Sequence, residues 1–248
     1  MEITHLVTNG CSWTYCQGLE NPKEQGWPTL LAKKLGCEVV NIAVPGTGNR
    51  SIMRRTFEYV CENLPTNSKP FFVILWSQYA RKEAWYSNVN DFDIIPYPKG
   101  NEILSFDNYQ KAFLENFNEE DFLRSTILDK IATTTLLRYH NIPYLSCDAF
   151  HDNFKDSLLK KVFKRIPNMY TQFNEINNAT DLYNISRKYR PLPCGHDGPE
   201  AMFEIADTFY NDILNNYSKP IILQNANFLS RKNFVVHKLK RFIQKDWD

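Results

Sequence analysis

Residues Pro70 to Trp76 form an unbroken apolar run, Pro-Phe-Phe-Val-Ile-Leu-Trp, with no polar alternation. A run that short and that apolar predicts a strand buried on both faces, as in a parallel sheet covered by helices. The flanking sequence supplies the other elements. Glu2 to Thr8 is β-prone and stops at the turn-forming Asn9-Gly10. Gly26-Trp27-Pro28 then opens a helix, with Trp27, Leu30, Leu31 and Leu35 on one face and Gly36 where a C-terminal cap belongs. Cys37 to Ala43 reads as a second strand ending at Pro45-Gly46, and Met53, Phe57, Val60 and Leu64 recur at helical spacing before the apolar run. The order β-α-β-α-β predicts a three-layer α/β/α sandwich with a mainly parallel central sheet, whose ligands gather at the carboxyl ends of the strands.

The alternation breaks at Ala84 to Glu120, a segment rich in Asn, Asp and aromatic residues, and resumes with a helical face of Leu123, Ile127, Ile131 and Thr134 and a fourth strand from Pro143 to Cys147. A second polar and aromatic stretch, about 150–193, precedes a helix with Met202, Ile205, Phe209 and Ile213 on one face. The expectation is one domain over 1–248 with insertions at about 84–120 and 150–193, both following strands and both placed to cover the strand ends as a lid or wall. From Leu229 the tail carries Arg231, Lys232, Lys238, Lys240, Arg241 and Lys245 against Asp246 and Asp248, with Val235, Leu239 and Phe242 on one face. This basic helical tail, about 228–248, packs on its own domain or meets nucleic acid or a protein.

Of the 248 residues, 43% are apolar and 14% aromatic, enough for a substantial core. Twenty-nine Lys and Arg against 28 Asp and Glu leave a net charge of +1, so no global field concentrates nucleic acid or an anionic membrane. No apolar run approaches the roughly 20 residues of a membrane helix, and Met1 to Gly10 has no signal-peptide pattern. The expected location is cytoplasmic. Six cysteines without a C-x-x-C pair point to free thiols rather than a disulfide framework or a zinc site.

Four separated pieces bear chemistry. Asn9-Gly10-Cys11-Ser12-Trp13-Thr14 places a serine on the turn after the first strand, where backbone N–H groups can hold an oxyanion. In Asn41-Ile42-Ala43-Val44-Pro45-Gly46-Thr47-Gly48-Asn49, Gly46 lets the backbone approach a ligand and Asn49 adds an amide. Trp76-Ser77-Gln78-Tyr79-Ala80-Arg81 puts polar groups where the third strand ends, and Cys194-Gly195-His196-Asp197-Gly198-Pro199-Glu200 carries a histidine just before the last helix. A histidine there can serve as general base to the serine, because neighbouring parallel strand ends converge.

Taken together, these pieces resemble the SGNH (GDSL-type) hydrolase superfamily, in a divergent form, since its motif blocks occur in this order. Gly10-Cys11-Ser12-Trp13-Thr14 is similar to the Gly-Asp-Ser-Leu-Thr block, with Cys11 replacing the aspartate. The resemblance implies a flavodoxin-like α/β/α frame, Ser12 as nucleophile, His196 as base and Gly46 as an oxyanion donor with the Ser12 N–H. Trp76-Ser77-Gln78 stands where the family has Gly-x-Asn-Asp, so the oxyanion side chain falls to Gln78, Ser77 or Asn49. The triad aspartate, three residues before the histidine in the family, is Pro193 here; Asp197 and Asp148 are the candidates to orient the imidazole.

Trp13, Trp76 and Tyr79 offer aromatic faces for a sugar ring or an acyl chain, and Arg50 and Arg81 flank the same region as candidates for an anionic group. The expected activity is that of a serine esterase, acyl hydrolase or acyltransferase acting on a small-molecule or glycan acyl ester. It uses no metal or organic cofactor. Asp91 and Asp93 are read as solvated rather than metal-binding. The alternative keeps the fold and drops the chemistry, leaving a catalytically degenerate binding or assembly protein.

Overall fold

In the computed structural model, residues 3–63, 68–79, 81–85, 92–95, 118–150, 162–164, 179–180 and 182–217 are described. In chain order the elements are β1 (His5–Asn9), α1 (Ser12–Tyr15), α2 (Pro22–Gln25), α3 (Trp27–Leu35), β2 (Glu38–Asn41), α4 (Asn49–Asn63), β3 (Pro70–Trp76), β4 (Lys82–Trp85), β5 (Phe92–Ile95), α5 (Glu119–Tyr139), β6 (Tyr144–Asp148), α6 (Leu182–Ser186) and α7 (Pro199–Tyr217). Four strands form a parallel sheet in the order β2-β1-β3-β6, and β4 pairs antiparallel with β5. The register sets Thr8 beside Asn41, Asn9 beside Ile74 and Trp76 beside Asp148, so the chemistry-bearing loops leave the sheet along one edge.

The apolar run is the centre of the core. Alternate residues of a strand face opposite sides. Phe72, Ile74 and Trp76 join Val7, Ile52, Val60, Leu137, Ile142 and Tyr144 beneath α4 and α5. Phe71, Val73 and Leu75, equally buried, face the other layer. There Trp27 of α3 meets Phe209 of α7 edge-on with ring centroids 5.1 Å apart, and Lys34 pairs with Asp207 at 2.6 Å. Each large apolar side chain so enclosed stabilises the fold by roughly 1.5–3 kcal/mol relative to exposure. The result is the three-layer α/β/α sandwich expected from the sequence.

Two helices show how sequence signals and structure meet. At α5 the Asn118 side chain accepts the N–H groups of Glu120 (3.1 Å) and Asp121 (3.3 Å), capping a first turn whose acidic residues suit the positive end of the helix dipole. In α4 the buried stripe is Asn49, Ile52, Thr56 and Val60, one position away from the expected Met53 and Phe57. Thr56 is admitted to the core because its hydroxyl donates to the Ile52 carbonyl at 2.9 Å and accepts from Asn9 at 2.9 Å. Apolar periodicity alone overlooks a satisfied threonine.

The first expected insertion contains the β4–β5 pair, which begins at Lys82, and gives way to α5 at Glu119. Residues 96–117, 151–161 and 165–178, the bulk of the two insertions, and the tail at 228–248 lie outside the described residues. The chain divides into two compact units, 2–212 and 213–248 with residue 1. The sheet and the candidate site belong to the first. Of the second, only the last residues of α7 are described. No helix among the described residues is long and apolar enough to cross a membrane.

Candidate active site at the carboxyl ends of the strands

The serine turn is built from β1 outward. Asn9 is wholly buried, and its Nδ2 donates to the Ile52 carbonyl at 2.8 Å and to Thr56 Oγ1 while its Oδ1 accepts the Gly10 N–H at 2.8 Å. Gly10 fits because nothing larger does: a Cβ there would lie 2.1 Å from Thr14 Oγ1 and 2.9 Å from the Leu75 carbonyl oxygen. Cys11 is extended, and Ser12 opens α1, its carbonyl accepting the N–H groups of Cys16 and Gln17. The second block joins through two bonds, from the Val44 N–H to the Gly10 carbonyl at 3.2 Å and from the Asn41 amide to the Thr14 carbonyl at 2.9 Å. Ser12 is 5% exposed, and its hydroxyl makes no hydrogen bond among the described residues.

The histidine loop lies against this turn. The ring centroids of Trp13 and His196 are 6.0 Å apart, and a Cβ on Gly18 would lie 2.4 Å from Cys194 Sγ and 3.9 Å from the Cβ of His196. The loop holds itself locally: the Gly195 N–H donates to the Leu192 carbonyl and the Leu192 N–H to the His196 carbonyl, both at 2.8 Å. Pro193 at the second position suits such a turn. Glu204 of α7, bonded by Tyr189 and Lys188, ties the preceding segment down.

His196 Nδ1 is buried without a hydrogen-bond partner. Neighbouring Asp197 is 3% exposed, and its Oδ2 accepts the Ser186 hydroxyl at 2.7 Å. Burial raises this carboxyl above its ordinary value; the Ser186 hydrogen bond and charge on His196 oppose the rise. Nearby Cys16 is pushed up to about 12, first by burial and then, more weakly, by the Asp197 carboxylate, while a backbone hydrogen bond at Trp27 pulls the other way. At neutral pH its thiol is protonated and is no rival nucleophile.

Other candidates separate by burial and partners. Trp13 meets Phe150 edge-on at 5.6 Å, and the Arg81 guanidinium lies 5.3 Å from the Phe150 ring centroid. Arg81, Phe150, Trp13 and His196 thus form a continuous wall drawn from three loops and α1. Phe150 carried no signal in the sequence beyond its place just past the fourth strand.

Trp76 corrects the expectation. It is 0% exposed, its indole N–H donates to Ser146 Oγ at 2.7 Å, and it is a core residue rather than a substrate face. The Asn49 amide is also committed, donating to the Ser77 carbonyl (3.0 Å) and Thr126 Oγ1 (3.2 Å) and accepting the Ser77 N–H (2.7 Å), so it braces α4 to the end of β3. Tyr79 donates to Glu119 and packs beside Leu123 and Ile127. Asp148 pairs with Lys130, whose side chain is wholly buried, and that ammonium claims the carboxylate. Arg50 pairs with the buried Asp129 at 3.0 Å. Gln78 is half-buried, and Gly46 adopts a left-handed φ of 77°. Asp93 lies in β5, while Asp91 lies outside the described residues. Among the described residues no three of His, Cys, Asp and Glu gather as metal ligands.

A model described as "Family of unknown function (DUF6071)" matches residues 15–165, more than half of the chain; Ser12 and His196 stand outside that span. A search of curated protein sequences returned no match. Among solved structures, TesA is similar at 14% identity and a TM-score of 0.51, over 85% of this chain and 98% of its own. A carbohydrate esterase family 2 enzyme with a carbohydrate binding domain, from Corynascus thermopiles (Myceliophthora fergusii), is similar at 12% identity and a TM-score of 0.52, over 86% of this chain and 66% of its own. At such identity the likeness is one of fold. That fold is the three-layer α/β/α frame described above, in a divergent form.

Proposed function

The chain belongs to the DUF6071 family, and from its SGNH-type frame we propose that it cleaves or transfers an acyl ester through Ser12 and His196. The observation that carries this reading is the seating of the histidine loop on the serine turn, through the Trp13–His196 ring contact and the close packing of Gly18 on Cys194 and His196.

In the reaction, Ser12 Oγ attacks the carbonyl carbon and passes its proton to His196. The N–H groups of Ser12 and Gly46 hold the oxyanion, with the Gln78 amide as a third donor. As the tetrahedral adduct collapses, the bond to the alkoxy oxygen breaks, and the leaving alcohol takes the proton from His196. Water or a bound hydroxyl then attacks the acyl-enzyme by the same route in reverse. Asp197, next in sequence and buried beside the imidazole, is the favoured group to stabilise the imidazolium; Asp148 is held by Lys130.

One observation favours the degenerate reading instead: the buried His196 Nδ1 lacks a partner, and Asp197 bonds Ser186. Hydrolysis of 4-nitrophenyl acetate by the full chain separates the two. Turnover that falls by at least about 10³ in both Ser12→Ala and His196→Ala, together with labelling of Ser12 by a fluorophosphonate, supports the esterase. Turnover that survives Ser12→Ala, or no turnover and no labelling, supports the binding protein.

A further inference from the structure

The guanidinium of Arg81 stands in the wall beside the serine turn, half-buried, with one of its three nitrogens spent. Nη1 donates to Ser77 Oγ at 3.0 Å and approaches the Thr47 carbonyl at 3.5 Å. Its plane is backed by the Phe150 ring, which in turn meets Trp13. Its backbone is fixed against the second block, since a Cβ on Gly48 would lie 2.7 Å from the Arg81 carbonyl oxygen. Arg81 therefore sits against Gly48, two residues along from Gly46, at the turn that faces the reacting carbonyl in the reading above.

No carboxylate pairs with Arg81 among the described residues. Two other arginines of the first unit are matched to carboxylates, Arg50 to Asp129 and Arg54 to Glu58, the latter at 2.8 Å. A guanidinium presents five N–H donors in a planar fork that fits a carboxylate or phosphate bidentately, and leaving it partly desolvated without a counter-charge costs free energy that an anionic ligand recovers. Holding Ser77 needs one donor, and a neutral amide would supply it.

We infer that the substrate of this site carries an anionic oxygen group, a carboxylate or a phosphate, which docks on the Nε and Nη2 edge of Arg81. The inference rests on the esterase reading for its placement next to the scissile ester, but the anion site itself is testable without turnover. The sequence offers Arg50 and Arg81 as equals. The structure separates them, because Asp129 already neutralises Arg50.

The test compares mono-4-nitrophenyl glutarate with 4-nitrophenyl pentanoate, which have acyl chains of the same length with and without a terminal carboxylate. Wild type is expected to prefer the glutarate by about tenfold in kcat/KM at low salt, since one charge-assisted bidentate contact contributes on that order. Arg81→Gln and Arg81→Lys should both erase most of that preference, the first by removing the charge and the second by removing the fork. Arg50→Gln, which removes an equal charge nearby, should retain it.

Calorimetric titration of the same proteins with glutarate and with inorganic phosphate gives a second readout, and tells which anion the site takes. Binding by wild type and Arg50→Gln but not by the folded Arg81 variants upholds the anion site even if no ester is cleaved, in which case only the esterase reading falls. Equal hydrolysis of both esters, or equal losses on both in the Arg81 variants with no anion binding, overturns the inference and leaves the esterase standing.

Discussion

The serine turn and the histidine loop face each other across the carboxyl edge of the sheet, yet they are held in different ways. Asn9 reaches across to Ile52 and Thr56, more than forty positions away, and Gly10 is hemmed by β3, so the turn at Ser12 is fixed by the tertiary frame. The histidine loop closes on itself between Leu192 and His196 and buries Asp197 against Ser186. The contrast teaches that the place of Ser12 is inherited from the sheet, whereas the place of His196 and of its acidic neighbour Asp197 is set by a short local structure. In that loop Pro193 stands three residues before His196, and the buried acid next to the histidine is Asp197, on its other side.

The sharpest way to break this comparison is Asp197→Asn. If Asp197 orients His196, turnover should fall by up to about 10⁴, the loss seen when the triad aspartate of a serine protease is replaced. Its folded carboxyl is raised above the ordinary 3.8 by burial, so the stability associated with the protonated form is present at acid pH and lost as pH rises through the folded value. The asparagine variant should therefore melt less steeply with rising pH above about 3.8, while still accepting the Ser186 hydroxyl. A variant with full turnover would mean that the imidazole takes its orientation from elsewhere.

Next in size, Asn9→Ala should cost about 3 kcal/mol in a urea melt, because three buried hydrogen bonds are lost together and the Gly10 N–H is left without its acceptor. It should lower turnover as the serine turn shifts. A loss below about 1 kcal/mol would show that the turn is held by the packing around Gly10 alone. Ser186→Ala is the smallest expected change. One hydrogen bond to a largely buried carboxylate contributes roughly 1.5–3 kcal/mol, and residual solvent access puts the cost near the bottom of that range. The informative readout is the turnover profile against pH, which should move for Ser186→Ala and stay put for Asn9→Ala. A profile that moves in neither would separate Asp197 from the chemistry.

Much of this frame was legible in the sequence. An unbroken apolar run with helical periodicity on either side admits few solutions other than a covered parallel sheet, and the Gly10-Cys11-Ser12 turn, Gly46 and the His196 block pointed to the carboxyl edge at which they gather before any coordinate. These are short-range properties: side-chain polarity, turn chemistry and spacing. The partners of each polar group are not, because they depend on which strands become neighbours. Only the tertiary structure could bury Trp76 in the core and give its N–H to Ser146, spend Asn49 on Ser77 and Thr126, and bind Asp148 to Lys130. It alone could neutralise Arg50 with Asp129 while leaving Arg81 without a carboxylate among the described residues. A charge or an aromatic ring reads the same in sequence whether it is matched or open; burial and the distance to a partner far along the chain decide which of them is free to meet a ligand.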